Sequence, residues 1–472
     1  MAYVGYVTTL KNVRKHSNAD RLQVGECFGN QVIVSLDYKE GQMGVYFPVD
    51  GQLSERFCQV NDLVRRKDEN GNACGGYLDP DKRNIKALRL RGEQSDGLFM
   101  PLTCLADFTK ISDLKEGDTI SVLNGEEICR KYIPRRNVAR TSGKSKSGKA
   151  KANFAPTFYE HIDTAQLAYN LGQFKAGDIV ELTLKMHGTS GRTGYLPLRK
   201  WKKSWLDKLL KRQGKEYREY GYVTGTRRVV LDDTHTGGFY SDNEFRHVMA
   251  DKFEGKLHKG EVVYYEIVGF VNENTPIMGS VKNSKISDKA FTKQYGPETV
   301  WSYGCDPHGG WAETSVAPDE FNGDSEVRAP KCEVYVYRMT QVNEDGDVVE
   351  LSPDQVRMRC EQMGVKTVPV FERFIIPKTR LEIQCHEDGS ENLFNVDVDP
   401  GEYVLRKVEE YFDGPDPIGK THVREGVVAR IVNRPNIAVY KHKNFSFKVL
   451  EGIAKDEAVA PDMEEAQEET AE

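Results

Sequence analysis

Six segments in the last two-thirds of this 472-residue chain are written like β-strands, yet most carry a charge in apolar surroundings. They are GDIVELTLKM (177–186), YGYVTGTRRVVL (220–231), EVVYYEIVGF (261–270), CEVYVYRMT (332–340), EGVVARIV (425–432) and IAVYKHKNFSFKVL (437–450). Val, Ile, Tyr and Phe dominate them, as a pleated, half-buried surface requires. Lys185, Glu266, Glu425, Lys441 and Lys443 interrupt that apolar run. A carboxylate or ammonium embedded in an apolar strand is costly unless it faces a ligand, an ion or a partner. PDQVRMRCEQMG (353–364) reads as a short helix closed by Gly364, and PGEYVLRKVEEYF (400–412) as a second helix. Towards the N-terminus QVIVSLDY, GVYFPV and KALRLRG are shorter strands broken by KEGQ, DGQ and DENGNACGG. That spacing predicts a small barrel. The predicted class is α+β: an N-terminal β-barrel, then an α/β domain built on antiparallel sheets.

Charge marks further boundaries. Residues 455–472 hold eight acids and one base, so the rest of the chain carries +1 although the whole carries −6. An acidic tail with no aromatic residue has little to bury and is predicted to be disordered over 453–472. Residues 130–151 contain nine Lys or Arg and no acid, and 199–218 contain nine bases against Asp207 and Glu216. Such blocks attract phosphate backbones, although a solvated linker and a solvated helix face explain them equally well. RTSGKSKSGKAKA has no apolar anchor and reads as a linker over 140–154. These boundaries give domains at 1–139 and 155–452. Residues 281–330 are irregular and receive no assignment. In 199–218, Trp201 and Trp205 stand at i, i+4 beside Leu206, Leu209 and Leu210. That pattern predicts a basic amphipathic helix, whether docked, RNA-facing or at a membrane surface.

No run of apolar residues is long enough to span a bilayer, and the first residues lack signal-peptide features. Nine Cys without a C-x-x-C pair indicate reduced thiols, so a cytoplasmic location with no membrane partner is expected.

The chemistry centres on ELTLKMHGTSGRTGY (181–195). A strand delivers Lys185, and Gly188 with Thr189, Ser190 and Gly191 turns the chain, so backbone N–H groups can approach a phosphate. A lone K-x-x-G is common by chance. The ordered set downstream is not: Glu266, then Tyr335 and Tyr337 on an aromatic strand, then Glu425 in EGVV, then Lys441 and Lys443 on one strand face.

This order resembles the covalent nucleotidyltransferase superfamily of DNA ligases, RNA ligases and mRNA capping enzymes. The spelling KMHGTS resembles RNA ligases more than DNA ligases. KHSNADRLQVGECFGNQVIVS resembles oligonucleotide-binding (OB-fold) barrels of tRNA-binding proteins. EGQMGVYFPVDGQL and RNIKALRLRGEQSDGLFMPL resemble the N-terminal barrel of RNA ligases of the Deinococcus and Naegleria type. The resemblance implies an OB-like domain before an ATP-grasp-like ligase domain. It implies an ATP-dependent RNA ligase, a monomer, that joins 3′-OH and 5′-phosphate RNA ends or nicks through lysyl-AMP and RNA-adenylate.

In that reading Lys185 is the nucleophile. An ordinary lysine amine is neutral in only about one molecule in 2,500 at pH 7, so the site must activate it. Lys441 and Lys443 contact the α-phosphate. Glu266 and Glu425 hold ribose hydroxyls and Mg²⁺ (or Mn²⁺). Tyr337 stacks on the purine, with Tyr335 as the alternative. Arg227 in VTGTRRVVL faces the adenylate phosphate and the RNA end, while Arg228 points away. His187 and Gly188 line the nucleotide, His187 as a positioning residue. The chain departs from the family at Leu184, where Glu is frequent, at Tyr265, where Gly is common, and at Arg338, where Asp is common. Leu184 leaves the choice between adenine and guanine open. A GTP-dependent capping-type enzyme and a non-catalytic RNA-binding protein are the alternatives.

Overall fold

A computed structural model describes residues 3–133, 154–210, 212, 214–227, 229–231, 244–310, 329–385 and 391–456. The chain divides into two compact units. One comprises Met1–Arg135, Val281–Glu298 and Asn444–Ala458; the other comprises Arg136–Ser280, Thr299–Lys443 and Val459–Glu472.

In the first unit, Leu98–Pro101, Met43–Phe47, Gly5–Thr9 and Thr119–Ile120 form a four-stranded antiparallel sheet in that order. Lys11–Lys15, Leu22–Cys27 and Asn30–Ser35 form a three-stranded one. Val7, Val45, Phe47, Phe57 and Leu105 share one core. The strands are short and interrupted by turns, and their pairings among the described residues do not close into a ring. Small separate sheets therefore stand where one barrel was expected.

The sequence read 437–450 as a single strand. The strand stops at Lys443, and Phe445–Asp456 is a helix. The Asn444 side chain accepts the Phe447 N–H at 3.1 Å, a cap that ends the extended run. Phe447, Leu450 and Ala454 then fall on one buried face. Lys455, only 4% exposed, reaches Asp50 at 3.0 Å. The acidic segment beyond Asp456 lies outside the described residues, as does the expected linker except for Phe154.

The second unit holds two sheets. The five-stranded one runs Ala165–Gln166, Ala438–Lys443, Gly426–Ile431, Ile179–Lys185, Val370–Ile375. The eight-stranded one has Val230–Leu231, Lys215–Gly225, Thr189–Lys202, Glu261–Asn272, Cys332–Val342 and Val348–Glu350 as its main path. Nearly all pairs are antiparallel, which bears out the α+β class. Glu261–Asn272 is central, and its Val263, Tyr265 and Ile267 pack with Phe245 and Met249 of the helix Glu244–Asp251 and with Val356 and Cys360 of Pro353–Met363. The latter helix has the expected bounds: Ser352 and Gln355 form a capping box, and Gly364 closes it at φ 67°. The helix Pro400–Glu409 starts at the Asp399 cap and packs Val404 and Val408 on the five-stranded sheet.

Residues 199–218 are not the helix expected from the sequence. Arg199–Lys202 continue a strand, Trp205–Leu209 is one short helix, and Lys215 begins the return strand. Eleven consecutive pairs, Arg192↔Gly225 to Lys202↔Lys215, tie the two strands together. That cross-strand ladder outweighs a helix too short to be stable by itself. Eight described cysteines are free, and burial pushes Cys27, Cys104 and Cys332 up to about 12, so these thiols are inert.

Candidate active site

Lys185 is the last residue of its strand, and Thr189 opens a strand of the other sheet. Met186–Gly188 thus bridges the two sheets. Gly188 is required by space: a Cβ there would stand 2.3 Å from the Ile267 carbonyl oxygen. Its N–H donates to Glu266 Oε1 at 3.1 Å, and the Ser190 hydroxyl donates to Oε2 at 3.4 Å. The His187 N–H donates to the Tyr303 hydroxyl oxygen at 2.7 Å. The turn is therefore held from both sides by buried or half-buried groups.

Glu425 lies at the base of this turn, with its side chain 2% exposed. Lys185 Nζ is 2.8 Å from Oε1, Lys443 Nζ is 3.5 Å from the same oxygen, and His187 Nδ1 is 4.0 Å from Oε2. Strand register creates the cluster, because Lys185 pairs with Gly426 and Gly426 with Lys443. A Cβ at Gly426 would meet the His442 carbonyl oxygen at 2.0 Å, so the residue after Glu425 must be glycine. A buried carboxylate needs this much positive charge around it.

A cleft opens between the sheets. Lys185, Glu266, Arg227, Tyr337 and Lys441 line it, with Leu184, Val428 and Val439 as apolar wall. Tyr337, not Tyr335, reaches the cleft. The register jumps from Tyr264↔Arg338 to Tyr265↔Val336, so Tyr337 is the bulged residue, and a bulge re-aims a side chain. Tyr335 is buried, and that burial raises its hydroxyl. Arg227 is ion-paired with Asp163. Arg228 lies outside the described residues. The expected set thus converges: Lys185, His187, Gly188, Glu266, Glu425 and Lys443 around the turn, Arg227, Tyr337 and Lys441 along the cleft.

Two departures acquire structural reasons. Arg338 makes three bonds of 2.9–3.1 Å to Glu350 and lies 4.6 Å from the Tyr264 ring. Tyr265 fills the space beside Gly191 and shares a 2.9 Å hydrogen bond with Thr193. Leu184 is buried in the cleft wall. A carboxylate still lines the cleft in Glu181, which accepts two bonds of 3.0 Å from Arg357.

Sequence reasoning missed a supporting layer. Trp301 packs edge-on against the His187 ring at 4.7 Å, and Tyr303 packs edge-on against His422 at 4.6 Å. Asp416, wholly buried, accepts N–H bonds from Ile418, Gly419 and Lys420 and fixes the loop before Glu425. His161 stands 5.1 Å from Tyr337, with Arg338 Nη1 3.3 Å from its Nδ1. Burial, then the Arg338 charge, lowers its pKa to about 3. The only sequence signal for these residues was the density of rings in WSYG and FYEH.

A model of the RNA ligase family matches residues 178–450. The chain belongs to the RNA ligase family. That span carries every residue of the expected set, while His161 and Asp163 lie before it. No curated protein matches the chain. Solved structures of Naegleria gruberi RNA ligase are similar to it. A lysine-to-methionine mutant with AMP and Mn has 15% identity and a TM-score of 0.53, over 96% of this chain and 99% of that one. A lysine-to-alanine mutant with ATP and Mn has 14% identity and a TM-score of 0.52, over 94% and 98%. The same ligase with PPi has 15% identity and a TM-score of 0.51, over 94% and 97%. At this identity the likeness establishes a shared fold.

Tyr303→Phe removes the acceptor of the His187 N–H and leaves a buried donor unsatisfied, a cost of about 1–3 kcal/mol. The expected result is a roughly tenfold slower ligation, with KM for the nucleotide little changed, measured by single-turnover and steady-state kinetics. His161 is neutral in the folded chain and protonates near pH 6.5 when unfolded. Its contribution to stability is therefore complete above that pH and is lost as pH falls towards 3. Denaturation midpoints of His161→Gln should fall less steeply below pH 6.5 than those of the parent.

Proposed function

We propose that the chain is an ATP-dependent RNA ligase of the Deinococcus and Naegleria type, acting through Lys185. The observation that supports this most is the Lys185–Glu425–Lys443 cluster at the end of a cleft between two sheets, within the span matched by the family. Structures of the Naegleria enzyme solved with ATP, AMP and PPi support ATP as the nucleotide.

Lys185 Nζ attacks the α-phosphorus of ATP. An N–P bond forms, the bond to the β-phosphate oxygen breaks, and pyrophosphate leaves. Glu425, at 2.8 Å, holds the amine in place and is within reach of the proton released. A 5′-phosphate oxygen of RNA then attacks the same phosphorus, taking AMP and restoring the lysine. Finally a 3′-OH attacks the 5′-phosphate, the phosphodiester forms, and AMP departs. Tyr337 and the wall of Val428 and Val439 hold the base. Lys441 and Lys443 neutralise phosphate charge, Arg227 faces the RNA end, and the turn from His187 to Gly188 fixes the nucleophile.

Glu266 and Glu425 supply the hard oxygen donors that Mg²⁺ or Mn²⁺ prefers. Such an ion would be held by one or two carboxylates, phosphate and water. When bound, such an ion neutralises charge on the phosphates. The N-terminal unit, with its short antiparallel sheets, serves in this reading as the oligonucleotide-binding domain that grips RNA. The ligase acts as a monomer in the cytoplasm.

Nicked duplexes with RNA or DNA on the 3′-OH side of the break test the substrate class. RNA should seal faster, and equal rates would contradict the RNA assignment. Lys443→Ala should lower sealing of the RNA nick by about 10²–10³ in rate.

A further inference from the structure

The strand Thr189–Lys202 outruns its sheet. Its pairing with Glu261–Asn272 stops at Gly194↔Val262, but its pairing with Lys215–Gly225 continues to Lys202↔Lys215. Leu196 and Leu198 are still buried. From Arg199 outward the two strands form an arm with no third strand among the described residues, closed by the short helix Trp205–Leu209. Ser204 and Asp207 tie the start of that helix, with the Ser204 hydroxyl donating to Asp207 at 2.6 Å.

The tip of the arm is apolar and open to solvent. Trp205 is 72% exposed and Leu209 71%, and Leu206 and Leu210 are exposed beside them. Side chains of this kind gathered at one tip mark an interaction site rather than chance exposure. The same end of the arm is also cationic. Arg199 and Lys200 are paired with Glu216 and Glu219, but Lys202, Lys203, Arg212 and Lys215 are exposed and make no ion pair among the described residues.

RNA would match half of this surface. Its phosphates suit the cations and its bases could stack on Trp205, but it offers nothing to three exposed leucines. An anionic bilayer matches all of it. Headgroup phosphates take the Lys and Arg, and the boundary below them takes an indole and aliphatic side chains. Lys202 and Lys215 close the ladder next to the apolar residues, and Lys203 and Arg212 stand among them at the tip, so one end of the arm offers both kinds of contact. We infer that the 199–218 arm docks on an anionic lipid surface. The chain would lie on the membrane rather than cross it, since no described helix is long and apolar enough to do so. This reverses the expectation from sequence of no membrane partner. It does not rest on the ligase reading.

The test is co-sedimentation of the full chain with phosphatidylcholine vesicles, with and without phosphatidylglycerol. Binding is expected only to the phosphatidylglycerol vesicles and should weaken as salt rises. The double variant Trp205→Ser, Leu209→Ser should bind them more than about tenfold more weakly, with unchanged nick sealing and unchanged thermal midpoint. Failure of the parent chain to bind anionic vesicles would overturn the inference, and so would equal binding by the double variant. Loss of single-stranded RNA affinity in that variant, with no vesicle binding by the parent, would reassign the arm to nucleic acid.

Discussion

One buried carboxylate organises the site. Glu425 is almost fully removed from water, and an unpaired charge in that position would cost several kcal/mol. Lys185 and Lys443 compensate it from the two strands that flank its own. The cluster is therefore a property of strand register. A slip of one residue along any of the three strands would turn the facing side chain to the opposite side of the sheet. The position of Lys185 depends on the same hydrogen bonds that hold the five-stranded sheet together.

The turn that follows Lys185 also joins the two sheets. Gly188 is pressed against the Ile267 carbonyl, Glu266 binds the turn from one side, and Tyr303 binds it from the other. Because both sheets are anchored in dense apolar cores, the turn has little freedom. A site built on strand ends in this way is pre-organised, and a pre-organised site spends little of its binding energy on ordering itself.

Much of this was legible in the sequence, for a specific reason. Lys185, Glu266, Glu425, Lys441 and Lys443 interrupt apolar strands, and such interruptions have few explanations other than a site. The helix at 353 announced itself through the glycine that closes it, Gly364, and the structure adds the Ser352 and Asp399 caps at the starts of this helix and the one at 400. What was not legible depends on contacts between distant segments. Tyr335 and Tyr337 are equivalent by alternation, and only a bulge set by the neighbouring strand separates them. Trp301, Tyr303 and Asp416 act by touching the turn or shaping a loop, and beyond the rings of WSYG no local pattern reveals them. The 199–218 stretch has a helical spacing of apolar residues, but a ladder to the return strand overrides it. In 437–450 a single Asn ends the strand and starts a helix, and an apolar run cannot show that.

Ligation through Lys185 requires one covalent bond to adenylate, and intact-mass spectrometry of the chain incubated with ATP and Mg²⁺ tests it most directly. A mass increase of one adenylate is predicted, mapped to the peptide containing Lys185 and removed by added pyrophosphate. No adduct, or an adduct that persists in Lys185→Ala, would contradict it.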